Sequence, residues 1–128
     1  MRLKSAVVLS CAAGALLSNC ARNRRDPVDQ ELPRAPVTLE VTNNNWADVV
    51  IYVVRGGQRT RVMTVVTSNT ESVVLRPDLV GPGGEVRILA NAIGGNARYV
   101  SPTVFASAGG TVVVNLETDL RRSTVSTW

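Results

Sequence analysis

The 128-residue chain contains no histidine, and its single lysine is Lys4. Both cysteines, Cys11 and Cys20, precede the strand-rich part. Without histidine there is no Ser-His-Asp or Cys-His nucleophilic system and no imidazole proton shuttle. Without lysine beyond position 4 there is no Schiff-base chemistry downstream, and a Cys20 committed elsewhere removes thiolate redox. Zinc and copper sites lose their usual nitrogen and sulfur ligands. The expectation is therefore no enzyme, no cofactor and no metal. Aromatic residues make up 4%, namely Trp46, Tyr52, Tyr99, Phe105 and Trp128. That is too few to form the aromatic girdles of a transmembrane barrel.

The carboxylates present do not replace that chemistry. Two of them can hydrolyse a glycosidic bond. However, Glu40, Asp48, Glu71, Asp78, Glu85, Glu117 and Asp119 lie at turns or at outward strand positions, with no apolar flank to raise a pKa. The stretches "NNNWAD" and "LRPDLVG" each hold one carboxylate, fewer than a calcium loop needs. The pairs Gly56-Gly57, Gly83-Gly84, Gly94-Gly95 and Gly109-Gly110 each join strand to strand. A phosphate cradle instead requires a helix start after the glycines, so these are turn glycines.

Positive charge is less informative than the total suggests. The formal net charge is +4, but beyond Asn19 there are 12 arginines against 10 acids, and from Pro36 onward 8 against 7. A domain this close to neutral gives no reason to expect a nucleic-acid partner.

The first residues have the layout of an export leader. Arg2 and Lys4 supply a positive start, and "SAVVLSCAAGALL" forms an apolar run shorter than the ~20 residues of a bilayer crossing. The run "LLSNC" resembles the lipobox of bacterial lipoproteins. Leu17 fits the apolar position, Ser18 the small one and Cys20 the lipidated cysteine, while Asn19 stands where the pattern has Gly, Ala or Ser. The resemblance implies recognition of Leu17, Ser18 and Asn19 by the signal peptidase, acylation of Cys20, and a membrane contact through the N-terminal lipid. It also implies a location in the bacterial cell envelope, at the outer membrane on its periplasmic or surface side. Ordinary cleavage nearby would instead release a soluble periplasmic protein. Residues 1–19 are thus read as a signal peptide. Residues 20–35, charged and proline-bearing, are read as a flexible tether. Arg22, Arg24 and Arg25 in that tether can face anionic headgroups or simply solvent.

From Pro36 the apolar residues recur with period two. "VTLEVT" sets Val37, Leu39 and Val41 on one face. "ADVVIYVV" is apolar on both faces and hence central to a sheet. "RGGQ" is a two-glycine hairpin turn into "RTRVMTVV". "TESVVLR", "EVRILANA", "ARYVSPTVFA" (interrupted at Pro102) and "TVVVNLE" complete seven segments, with Val86, Ile88, Ala90, Val112, Val114 and Leu116 inward. The expected fold is all-β, an antiparallel seven-stranded sandwich over residues 36–119, with 120–128 as a C-terminal tail. The spacing resembles immunoglobulin-like and transthyretin-like domains, although the Cys…Trp…Cys pattern of antibody domains is absent. A "VVV" strand, Val112 to Val114, is expected to pair with another chain if it lies at an edge.

Two functions follow. One is a non-catalytic, membrane-anchored structural or protein-interaction module with an envelope protein as partner. The other is a binding module for an anionic glycan or another polyanion. Candidate contact residues are Trp46, at the tip of the asparagine turn, and Arg55, Arg59 and Arg61 around the hairpin. For Trp46 the choice is between an exposed contact and a cap on the open end of the sandwich. For the arginines it is between a binding patch and a solvated sheet face.

Overall fold

A computed structural model describes residues 35–128; the leader, Leu17, Ser18, Asn19, Cys20 and most of the tether lie outside the described residues. Ten strands follow one another: β1 (Thr38–Asn43), β2 (Val49–Arg55), β3 (Gln58–Val65), β4 (Thr70–Val74), β5 (Glu85–Val86), β6 (Ile88–Ala92), β7 (Arg98–Val100), β8 (Val104–Phe105), β9 (Thr111–Leu116) and β10 (Thr124–Thr127). Single 3-10 turns occupy Pro77–Leu79 and Leu120–Arg122. The strands form two four-stranded sheets, β10-β9-β1-β4 and β3-β2-β6-β7, and a small β5-β8 pair. The fold is thus the all-β sandwich that the alternating pattern predicts.

The core is where period two places it. Leu39, Val41, Val112, Val114 and Leu116 from one sheet, and Val49, Ile51, Ile88 and Ala90 from the other, are fully buried. Tyr99 packs inward as well, and burial raises its pKa above the usual phenol value. β2 is apolar on both faces and sits inside its sheet between β3 and β6. Gly56 and Gly57, at φ +56° and +77°, form the two-residue loop between β2 and β3. Positive φ at both positions is what a type I′ hairpin turn demands.

Four features depart from the sequence expectation. First, the ladder is not wholly antiparallel, because β1 runs parallel to β9, with Leu39 opposite Val112 and Val41 opposite Val114. Second, two of the seven predicted segments are each split in two. "EVRILANA" becomes β5 and β6, and "ARYVSPTVFA" becomes β7 and β8 on either side of Pro102, which has no N–H for a ladder. Third, residues read as a tail form β10, antiparallel to β9 with Val125 opposite Val114. Fourth, β9 therefore lies between β10 and β1, so Val112 to Val114 present no edge to another chain.

The strands run between two ends of the sandwich. At the hairpin end, Gly109 N–H donates to the Ala35 carbonyl at 3.0 Å and Trp128 N–H donates to the Thr111 carbonyl at 3.0 Å. The described chain therefore both enters and leaves here, beside the β2–β3 hairpin. Gly84, at φ +86°, also lies at this end; a Cβ on it would sit 2.2 Å from the Ala106 carbonyl oxygen. The opposite, asparagine end gathers the β1–β2, β3–β4, β6–β7 and β9–β10 connections. It is joined by Asn44 N–H to Leu116 O, Ser68 N–H to Asn43 O and Ile93 N–H to Asp48 O, each 2.8 Å.

Candidate functional site

The turn "NNNW" is held by two of its own amide side chains. Asn43, fully buried, donates from Nδ2 to the carbonyls of Ala47 (2.9 Å) and Val65 (3.0 Å), and its Oδ1 accepts from Asn45 N–H at 2.9 Å. Asn45 donates to the carbonyls of Glu117 (3.2 Å) and Thr118 (2.7 Å) and accepts from Ala47 N–H at 3.0 Å. Asparagine suits both places because one planar amide carries two donors and an acceptor. Asp48 adds a brace, its Oδ1 accepting from Thr67 N–H at 3.0 Å, and the Thr67 hydroxyl donates to the Asn45 carbonyl. No buried side-chain nitrogen or oxygen among the described residues is left without a partner.

Locking Asn45 and Ala47 pushes the residue between them outward. Trp46 is 85% exposed, so it does not cap the sandwich; Asn43, Asn45 and Leu120 close that end. Ile93, 52% exposed, and Val66, 41% exposed, lie in neighbouring connections at the same end. Sequence reasoning missed both. For Ile93 the available signal was an apolar residue stranded in the turn cluster "NAIGGN"; Val66 was read as the last residue of the strand segment "RTRVMTVV", which in the structure ends at Val65.

The arginines do not converge with Trp46. β2 carries Trp46 before its first residue and Arg55 at its last, so the two stand at opposite ends. Arg55 also belongs to the inner side of its sheet, in phase with Val53, and its guanidinium donates to the carbonyls of Asp78 and Val80, the latter at 3.1 Å. It fastens the Pro77–Leu79 turn to the hairpin. Arg59 and Arg61 share the outer face of the same sheet, opposite Val54 and Tyr52 respectively. Arg59 stacks over the Tyr52 ring at 5.6 Å from its centroid, and Arg61 donates to the Thr64 hydroxyl at 2.6 Å.

That outer face extends across the sheet. Tyr52 is opposite Leu89, which is opposite Val100; Val50 is opposite Asn91, which is opposite Arg98. Arg87 continues the face beside Val54, whose N–H donates to the Arg87 carbonyl at 2.8 Å.

The carboxylates are dispersed. Asp78 pairs with Arg76 at 2.9 Å, and Glu85 folds back to accept from Gly83 N–H at 2.9 Å. Asp119 accepts from the Arg121 guanidinium at 3.2 Å and from its backbone N–H at 3.1 Å, which holds its pKa below the usual carboxylate value. Glu71, at the asparagine end of β4, and Asp78, beyond its hairpin end, are a strand apart. At the hairpin end a cleft of about 730 Å³ is lined by Pro36, Val37, Leu75, Val80 and Phe105, with Arg55 on its wall.

No family model matches the chain, and no curated protein matches its sequence. Among solved structures it is similar to a protein from Eubacterium rectale, at 13% identity and a TM-score of 0.42, covering 73% of this chain and 86% of that one. It is also similar to a candidate cell adhesion protein from Bacteroides ovatus ATCC 8483, at 12% identity and a TM-score of 0.39, covering 74% of this chain and 43% of that one.

Proposed function

We propose that this protein is a non-catalytic module of a bacterial envelope, tethered by an acylated Cys20, that offers the asparagine end of its sandwich to a protein partner. The observation that carries this reading is the separation of the two ends. Ala35, where the described chain begins, is bonded at the hairpin end, whereas Trp46, Ile93 and Val66 stand exposed at the other. A strand of six or seven residues at about 3.3 Å per residue puts roughly 20 Å between them. An anchor upstream of Ala35 would be joined to the domain at the end opposite Trp46, leaving the Trp46 end clear of the attachment point.

The chemistry of that end suits a protein contact. An exposed tryptophan flanked by aliphatic side chains is the composition of an interface hot spot. The side-chain bonds of Asn43 and Asn45 hold the loop in place before any encounter, which lowers the entropy lost on binding. The dispersal of the carboxylates, each spent on a local partner or facing solvent, favours binding over catalysis.

The anchor is tested by mass spectrometry of the mature N-terminus from the membrane fraction. The expected result is an acylated Cys20 as first residue and a Cys20→Ser variant that moves to the soluble fraction. A mature chain starting elsewhere, or an unmodified Cys20, contradicts it.

A further inference from the structure

We infer that the outer face of the β3-β2-β6-β7 sheet is a second binding site, distinct from the Trp46 end, and that its ligand is a linear acidic polysaccharide. The four strands of this sheet contain no aspartate or glutamate and carry Arg55, Arg59, Arg61 and Arg98. The strands of the facing sheet contain Glu40 and Glu71 and no arginine or lysine. Charge is thus segregated by layer in a domain that is nearly neutral as a whole.

The register shows which arginines act together. Arg55 is turned inward and spent on the Asp78 and Val80 carbonyls. Arg59, Arg61, Arg87 and Arg98 project outward around a half-buried apolar centre that includes Tyr52 and Leu89. Among these four, no ion pair to a carboxylate occurs in the described residues. The nearest carboxylate in sequence, Glu85, is two positions before Arg87 and turned toward Gly83 N–H. Their present bonds go to neutral groups: Arg61 to the Thr64 hydroxyl, Arg87 to the Ser101 carbonyl at 3.3 Å, and Arg59 to the Tyr52 ring. Four cations at the margin of an apolar patch match a chain of sugar rings whose flat C–H faces alternate with carboxylates or sulfates. The planar guanidinium takes such groups through two parallel hydrogen bonds. A single-stranded nucleic acid fits less well, because it needs successive aromatic platforms. This face has one aromatic ring, and Arg59 already lies over it.

The test is binding of oligogalacturonate to the full chain extracted in an uncharged detergent. Affinity should fall steeply between about 0.01 M and about 0.15 M ionic strength, as the Debye length shrinks from about 30 Å to about 8 Å. Arg61→Ala with Arg98→Ala should weaken binding about 100-fold, roughly tenfold for each charge-assisted pair lost. Arg61→Gln with Arg98→Gln keeps the long stems and the fold and should lose as much. Arg76→Ala with Arg121→Ala, outside the face, should change nothing. The inference is overturned by no binding at low salt, by equal loss in the Arg76 and Arg121 control, or by tighter binding of single-stranded DNA. Self-association of the chain through this face overturns it as well. None of these results bears on the Trp46 end.

Discussion

At the scale of single residues, the three consecutive asparagines divide into two roles. Asn43 and Asn45 are buried and make backbone-like bonds with their side chains, whereas Asn44 is exposed. The sequence identifies the run as a turn because asparagine tolerates such backbone angles and bonds locally. It does not reveal the division of labour. That depends on partners 22 and 72 positions away, Val65 and Glu117, brought in by the fold. Asn43→Ala would leave the Val65 carbonyl, the Ala47 carbonyl and the Asn45 N–H without this partner. The Val65 carbonyl and the Asn45 N–H are buried, so at about 1–3 kcal/mol for each group left unsatisfied a loss of at least about 2 kcal/mol is expected in a urea titration. Asn43→Asp should cost more, since a carboxylate would then face two carbonyl oxygens. Stability within about 0.5 kcal/mol of the parent would show that the turn is held by something else.

At the scale of elements, which residues form strands was legible and which strands neighbour one another was not. Alternation reports a half-buried ladder whatever its neighbours, so Val86, Ile88, Ala90, Val112, Val114 and Leu116 were placed inward correctly. Pairing between distant segments leaves no such mark. The parallel β1–β9 contact joins strands some seventy positions apart, Thr38 to Thr111. β3 adds an irregularity that period two hides. Ile51 is opposite Met63 but Tyr52 is opposite Arg61, so Val62 is an extra residue in a bulge. Strict alternation from Arg59 and Arg61 would put Met63 and Val65 on the arginine face. The bulge turns them to the core, where Val65 is fully buried. β10 went unrecognised for a related reason: "STVSTW" is polar, and only Val125 faces the core layer. Its function at this scale is to cover β9. Removing Thr124 to Trp128 exposes the edge of a valine-rich strand. Light scattering should then show dimers or larger species where the full chain gives one size. A truncated chain with unchanged size would mean that β10 protects nothing.

At the scale of the whole molecule, charge and chain direction supply an orientation that no single motif encodes. One layer carries arginines on its outer face, the other carries hydroxyl side chains and Glu40. One end receives the described chain, and the other displays Trp46. The candidate contact residues were only partly legible for this reason. Trp46, Arg59 and Arg61 were named as candidate contacts, and the order of turn, strand and hairpin already set Trp46 and Arg55 at opposite ends of β2, but the sequence left open whether Trp46 capped the sandwich, which its exposure decides. Nor could the sequence show that Arg87 and Arg98 join Arg59 and Arg61 through cross-strand register. The proposed role as a tethered module rests on the Trp46 end making the contact. The most direct measurement is photo-crosslinking in intact cells, with a photoreactive amino acid placed at position 46, at 93, or at control position 40 on the opposite sheet. A discrete adduct with one envelope protein from positions 46 and 93, and none from 40, is the result this account predicts. No adduct from 46, or the same adduct from all three positions, would contradict it.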